Sequence, residues 1–199
     1  EALREYLEPE EFAQHVYEDL TRAIRRDFPL VEAASPLDRQ FQSQLAFLRP
    51  LARVHHGHRA AWAAIDKYVH VAQIKGARPP PLLVTGGAGS GKSAALAHWF
   101  LHNRVKGSFV LPHFVGADAS SAVAADVLRR LMLELRRCFE LEGEIPSRAA
   151  EMAHMLPKWL ERAANHGRAL VLLVDGIDDM EHEQRQQLLT WLPSQLPRA

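Results

Sequence analysis

Residues 86–93 read GGAGSGKS, and this octet decides how the rest of the chain is interpreted. It fits the phosphate-loop pattern G-x-x-x-x-G-K-[ST] without a mismatch. An apolar run at residues 82–84 precedes it and an alanine-rich helical run at residues 94–105 follows it, which is the order of strand, loop and helix that phosphate binding uses. The octet therefore predicts a nucleotide-binding loop. The alternative is a glycine-rich turn that is followed by an exposed lysine.

Each residue type in the octet has a physical role in holding phosphate. Glycines let the backbone curve around a phosphate with successive N–H groups pointing inward, and the N-terminus of the following helix adds positive potential. We expect Lys92 to reach the β and γ phosphates of a nucleotide and the Ser93 hydroxyl to hold Mg²⁺. The predicted nucleotide-binding residues are Gly86, Gly87, Ala88, Gly89, Ser90, Gly91, Lys92, Ser93 and Ala94.

A second motif supplies the acid that such a loop requires. Residues 169–175 read ALVLLVD, an apolar strand ending in Asp175, and open α/β sheets bind ligands at the carboxyl ends of their strands. We expect Asp175 to orient the water shell of Mg²⁺. Asp178 and Asp179 could polarise an attacking water or, alternatively, cap the helix predicted at residues 181–191. The predicted metal ligands are Ser93 and Asp175, and the predicted catalytic residues are Lys92, Asp175, Asp178 and Asp179.

Beyond the triple proline at residues 79–81, short apolar runs alternate with helical patterns. The predicted strands cover residues 82–84, 109–115 and 169–174, and the predicted helices cover residues 94–105, 119–140, 147–165 and 181–191. Short continuous apolar runs between helices are typical of parallel strands that are buried on both faces. We therefore predict an α/β fold, the three-layer α/β/α, doubly wound architecture of P-loop NTPases with a mainly parallel sheet.

The N-terminal part of the sequence is helical throughout. Helical periodicity covers residues 10–28, and a second helical run is expected to stop at Pro50 before a third at residues 59–74. We predict a helical segment over residues 1–49 and the NTPase core over residues 50–199. Because the chain does not begin with Met and ends where another strand is expected, we expect a fragment of a longer protein, truncated within the core.

Composition restricts the classes of partner. The 199 residues include 24 basic and 24 acidic side chains, so no overall field favours nucleic acid, and a hydrophobic content of 47 % suits a globular core. No apolar run approaches the roughly 20 residues that a membrane span needs. The single cysteine, Cys138, fits a reducing compartment. We expect a soluble cytoplasmic protein that binds neither nucleic acid nor a membrane.

The residues around the two motifs separate the classes of P-loop protein. A GTPase would place glycine three residues after Asp175, but residue 178 is Asp, and the sequence lacks the guanine motif Asn-Lys-x-Asp. A small-molecule or nucleotide kinase usually carries an arginine-rich lid. The pairs at residues 129–130 and 136–137 lie within a predicted helix, where we expect a solvated face. ATP is therefore favoured over GTP, and a kinase stays an alternative.

Three stretches resemble the nucleotide-binding core of STAND ATPases, in the NACHT-type branch found in nephrocystin-like and telomerase-associated-protein-like chains. They are GGAGSGKSAALAHWF at residues 86–100, FVGADASSAVAADVLRRLM at residues 114–132, and LVLLVDGIDDM followed by LLTWLPSQLP at residues 170–180 and 188–197. The sequence DGIDD is typical of the NACHT form of the Walker B motif. The resemblance covers residues 50–199, and residues 12–30 resemble the tail of a TIR-like module.

The resemblance implies a molecular switch. Such a protein binds ATP or ADP, hydrolyses ATP slowly, and couples the nucleotide state to conformational change, self-association and protein partners through flanking domains. A γ-phosphate with its Mg²⁺ can favour one arrangement of a protein over another. A nucleotide-binding scaffold without hydrolysis is the second hypothesis. In the family a Gly-Arg pair lies close to the nucleotide, whereas this chain has His55, His56, Gly57 and His58, for which we expect a surface loop without metal.

Overall fold

The computed structural model describes most of the chain and divides it into two compact units. The described residues are 9–27, 35–53, 58–74, 79–102, 107–166, 169–192 and 196. The two units are Glu1–Pro36 and Leu37–Ala199. The domain boundary between residues 49 and 50 stays a prediction.

One amphipathic helix is described for the first unit. Helix α1 spans Pro9–Asp27, in agreement with the helix predicted at residues 10–28. Its apolar side chains recur at helical spacing, as an amphipathic helix requires. Those exposed to solvent are Phe12, Val16, Tyr17, Leu20 and Ile24.

The other described elements are six helices and two strands. In chain order they are α2 (Pro36–Arg53), α3 (Arg59–Ala72), α4 (Lys92–His102), β1 (Phe109–Phe114), α5 (Ala124–Phe139), α6 (Ala149–Ala164), β2 (Leu170–Asp175) and α7 (His182–Leu189). No helix among the described residues is both long enough and apolar enough to cross a membrane.

The two strands pair in parallel, as the sequence predicts. The register runs from Phe109 opposite Leu170 to Phe114 opposite Asp175. A parallel pair needs a long crossover, and α5 and α6 supply it here. Both strands therefore end at the same edge, and the loops that follow them lie side by side.

Apolar clusters cover both faces of β1. Because successive strand residues point to opposite faces, Val110 and Phe114 join a cluster with α2, α3 and α4, whereas Leu111 joins one with α5, α6 and α7. Trp99 of α4 is fully buried in the first cluster. Its indole Nε1 donates to a carboxylate oxygen of Asp66 in α3, 2.7 Å away. This bond and the shared cluster hold α4 against α3.

The strand predicted at residues 82–84 is wrong. This segment belongs to no strand ladder, and Leu83 is 81 % exposed. Three prolines precede it, and prolines carry no N–H group for a ladder. Among these prolines, Pro79 accepts the backbone N–H of Leu196 at 3.1 Å. The wider three-layer architecture therefore stays a prediction.

Two predicted helix boundaries also need correction. Helix α2 does not stop at Pro50 but continues to Arg53, because the apolar side chains on either side of the proline pack into the core and Ala52 is buried. The helix predicted from residue 119 begins only at Ala124, after a 3₁₀ turn over Ala119–Ala122. The Asp118 side chain accepts the N–H groups of Ser120 and Ser121 and so caps this turn ahead of the helix.

Buried polar side chains occupy the edge of β1 that faces away from β2. Gln44 of α2 accepts the N–H of Phe114 at 2.6 Å and donates to its carbonyl at 3.3 Å. Arg130 of α5 is 3 % exposed and donates to the carbonyl of Pro112. The expected solvated face of the α5 arginines is therefore wrong for Arg130, because its side of the helix faces β1.

The imidazole of His113 is buried near the end of β1. Its Nε2 lies 2.9 Å from the carbonyl oxygen of Ser121, so this nitrogen carries the ring proton, because a carbonyl can only accept. Burial and, to a lesser extent, the charge of Arg130 lower the pKa of His113 from 6.5 to about 4, against the smaller opposing effects of the Ser121 carbonyl and Asp118. The ring is neutral near pH 7.

We expect the free energy of unfolding to decrease as the pH falls from 6.5 towards about 4. In this range the unfolded state protonates His113 and the folded state does not, which removes about 3 kcal/mol. In His113→Gln the side-chain amide still donates to Ser121 but does not titrate. Over the same pH range, the free energy of unfolding of this variant should therefore fall by about 3 kcal/mol less than that of the parent protein. Urea unfolding at several pH values measures both proteins. If the free energies of unfolding of the two proteins changed in parallel with pH, His113 would not be the group responsible for the loss.

Candidate functional site

The phosphate loop forms a closed turn that leads directly into α4. Gly89 and Gly91 have φ values of +73° and +82°, a region that side chains other than glycine rarely adopt. The N–H of Ser90 donates to the carbonyl of Gly87 at 3.2 Å, and the N–H of Ala95 donates to the carbonyl of Gly91 at 2.8 Å. The loop backbone thus surrounds the N-terminus of α4, where an anion is stabilised.

Lys92 opens α4, and its side chain folds back over the loop. Its ammonium group donates to the carbonyls of Gly86 at 3.0 Å and Gly87 at 3.2 Å. Both acceptors are neutral, and charged phosphate oxygens would accept the same donors more strongly. The lysine therefore lies where it can exchange backbone acceptors for phosphate.

The two sequence motifs meet at Ser93 and Asp175. The hydroxyl of Ser93, in the first turn of α4, lies close enough to the carboxyl of Asp175, at the end of β2, to lower its pKa by hydrogen bonding. Burial raises the pKa of Asp175, and the nearby Asp178 carboxylate raises it further. The bond from Ser93 and the charge of Lys92 act in the opposite direction. The structure thus brings Lys92, Ser93 and Asp175 into one site.

The oxygen groups at this site fit Mg²⁺ bound together with a nucleotide. Among the described residues, no group of three or more His, Cys, Asp or Glu side chains could hold a metal ion. Mg²⁺ does not require such a group, because it commonly takes one or two protein oxygens and completes its shell with phosphates and water. The Ser93 hydroxyl and the Asp175 carboxylate are two such oxygens and lie close together.

Asp178 and Asp179 lie on an exposed turn beside Asp175. A 3₁₀ turn covers Ile177–Asp179 and follows Gly176, whose φ of +76° reverses the chain after β2. The capping alternative does not hold, because α7 begins after Glu181 and has no side-chain cap. The two carboxylates are therefore exposed next to the Asp175 site without a role at the start of α7.

His58 is a neighbour of the phosphate loop that was not among the predicted site residues. A Cβ atom added to Gly91 would lie 2.7 Å from Nε2 of His58, so the imidazole covers this glycine. The indole Nε1 of Trp62 donates to the carbonyl of Ala95 at 2.9 Å and ties α3 to α4 beside the ring. His58 lies in a turn before α3 and is partly buried, while His55 and His56 lie outside the described residues. The signal in the sequence for this position is the family resemblance, in which a Gly-Arg pair in this place lies close to the nucleotide.

Comparison with known protein families gives a match over most of the chain. A family profile described as an AAA ATPase domain matches residues 57–199. This range contains His58, the phosphate loop at residues 86–93, and the acidic residues Asp175, Asp178 and Asp179. No solved structure matches the chain.

Curated relatives share a limited part of their length with this chain. Nephrocystin-3 of Mus musculus is 33 % identical over 122 residues, which cover 59 % of this chain and 9 % of that protein. Nephrocystin-3 of Homo sapiens is 32 % identical over the same length. Telomerase protein component 1 of Mus musculus is 32 % identical over 125 residues, which cover 58 % of this chain and 5 % of that protein. The matches therefore span less than a tenth of these relatives.

We expect Gly91→Ala to destabilise the chain by about 1–3 kcal/mol, because the positive φ disfavours a Cβ atom and His58 occupies the space that it needs. Gly87→Ala is the matched control. Gly87 has no positive φ and no atom within 4 Å of an added Cβ, so its cost should stay below about 1 kcal/mol. Chemical unfolding of the two variants compares them, and equal losses would contradict the loop geometry.

Proposed function

Because the chain belongs to the AAA ATPase domain family, we propose that it binds ATP with Mg²⁺ at residues 86–93 and hydrolyses the nucleotide. The observation that carries this proposal is the proximity of Ser93 and Lys92 to Asp175, since both lie close enough to lower the pKa of its carboxyl. The two motifs are distant in sequence, and a glycine-rich turn of purely structural origin does not require this contact.

Each polar group of the site has a task in this proposal. The amides of the loop and the ammonium of Lys92 bind the phosphates, while Ser93 and Asp175 hold Mg²⁺, which neutralises charge that develops on the phosphate oxygens. Asp178 and Asp179 are exposed beside this position, where a carboxylate can orient a water for attack on the γ-phosphate. Positioning and electrostatic stabilisation account for most of the catalysis that such a site provides.

We further propose that turnover is slow and that the nucleotide state acts as a switch. The resemblance to NACHT-type STAND ATPases supports this reading, in which ATP and ADP favour different conformations and self-association follows. Protein partners would act through flanking domains, and the cytoplasm is the proposed location. The balanced charge of 24 basic and 24 acidic residues gives no support to nucleic-acid binding.

The alternatives differ in which residues they need. A scaffold that binds nucleotide without hydrolysis needs the loop and Asp175, but not Asp178 or Asp179. A kinase needs a mobile arginine-rich lid. Two arginines of α5 are instead engaged in structural bonds, Arg129 to the carbonyl of Pro146 at 3.2 Å and Arg130 to the carbonyl of Pro112. The structure therefore offers little support for a lid built from these arginines.

We expect Lys92→Ala in the full-length protein to weaken ATP binding by about 10- to 100-fold, because a charge-assisted phosphate contact contributes about 1.5–3 kcal/mol. Lys158→Ala removes an exposed lysine of α6 and should leave the affinity unchanged. Isothermal titration calorimetry with Mg²⁺ and ATP measures both variants. Unchanged affinity in Lys92→Ala would contradict nucleotide binding at this loop.

We expect the double variant Asp178→Asn/Asp179→Asn to bind ATP normally and to lose at least about 10-fold in turnover, because an amide cannot accept a proton from water. Phosphate release per protein measures the turnover. Binding with unchanged turnover would remove the proposed role in water activation. Binding with no turnover in the parent protein as well would favour the scaffold, and phosphate transferred to an added metabolite would favour the kinase.

A further inference from the structure

The loop after β1 is attached to the acidic turn over residues 175–179. We call residues 115–123 the support loop. The N–H of Val115 donates to the carbonyl of Asp175 at 3.0 Å. A Cβ atom added to Gly176 would lie 3.1 Å from the Cβ of Val115, so the two backbones pack closely. Just beyond the support loop, the N–H of Ala124 donates to the side chain of Gln184 in α7 at 2.8 Å. The support loop is thus held to both sides of the acidic turn.

One buried hydroxyl sets the shape of the support loop. Ser121 is 3 % exposed, and its hydroxyl accepts the N–H of Gly116 at 2.9 Å. The same hydroxyl donates to the carbonyl of Asp118 at 2.6 Å. Gly116 has a φ of +92°, so the chain reverses there. The bonds of Ser121 therefore fix the position of the residues directly after Val115.

His113 anchors Ser121 to the sheet. The Nε2–H of His113 donates to the carbonyl of Ser121 at 2.9 Å, and the ring is 1 % exposed. His113 lies next to Phe114, the residue opposite Asp175 in the strand register. A neutral donor from a rigid strand thus holds the hydroxyl-bearing residue in place, and the bonds run without interruption from β1 through the support loop to Asp175.

We propose that His113 and Ser121 are positioning residues for the acidic turn. Their bonds hold Val115 and Gly116 against Asp175 and Gly176 and thereby set where the carboxylates that follow are presented. The proposal rests on the ATPase function proposed above. Neither residue belongs to the phosphate loop or the acidic turn, so both should affect the rate of hydrolysis and leave nucleotide affinity unchanged.

The test uses variants of the full-length protein. Two of them remove the donor of His113 or the hydroxyl of Ser121, and a third keeps a donor at residue 113. His113→Phe keeps a buried ring but removes the donor, and Ser121→Ala removes the hydroxyl. Each should lower kcat by about 10-fold and change KM for ATP by less than about twofold, since a misplaced catalytic group reduces the rate with little effect on binding. His113→Gln places an amide donor near the position of Nε2 and should restore most of kcat. A raised KM, or no rescue by His113→Gln, would overturn the proposal.

A stability control separates positioning from a general loss of folding. Phe139 packs edge-on against Phe109 at the opposite end of β1, with 5.5 Å between ring centres. Phe139→Leu should destabilise the fold while leaving kcat per folded molecule unchanged. Equal losses of kcat in Phe139→Leu and His113→Phe would overturn the proposal.

Amide hydrogen exchange gives a readout that does not need turnover. The Val115 amide, bonded to Asp175, should exchange at least about 10-fold faster in His113→Phe than in Phe139→Leu at matched stability. Unchanged exchange would overturn the positioning role even where ATP is hydrolysed. Faster exchange in a protein that does not bind ATP would instead refute the proposed function and leave the mechanical link intact.

Discussion

The interaction between the Ser93 hydroxyl and the Asp175 carboxyl is the one on which the geometry of the site depends. It joins the first turn of α4 to the last residue of β2, and neither end is placed by local sequence alone. The parallel register with β1 fixes Asp175. The burial of Trp99 and its bond to Asp66 fix α4. Asp175 and Ser93 lie close together because the strand pairing places the acid and the core packing of α4 places the hydroxyl.

A cation and a nucleotide would supply Asp175 and Lys92 with charged partners at this site. Burial and the proximity of Asp178 oppose ionisation of Asp175, and Ser93 and Lys92 only partly offset this. Lys92 meanwhile bonds neutral carbonyls. Perturbed carboxylates of this kind are common at functional sites, because burial and neighbouring charges tune the pKa of a group to its task.

The parts of this structure that the sequence predicted are those set by local pattern. The octet at residues 86–93, the apolar strands that became β1 and β2, and most helices carry their own periodicity or motif. Long-range contacts carry no such mark. Residues 82–84 have a strand-like composition but lack pairing, and nothing near His58 or Arg130 in the sequence shows that one meets Gly91 and the other β1. A motif indicates the chemistry of the site residues but not their geometry, so their roles are proposals.

The blocked edge of β1 determines the direction in which the sheet can be extended. The odd-numbered residues along β1 direct their N–H groups towards β2, as do Phe109 at its start and Val115 just after its end. On the other side Pro112 has no N–H, its carbonyl is taken by Arg130, and Gln44 occupies both backbone groups of Phe114. An incoming strand finds no free partners near the end of this edge, which protects β1 from pairing with a second molecule. At this end of the sheet, an added strand would therefore have to pair with β2.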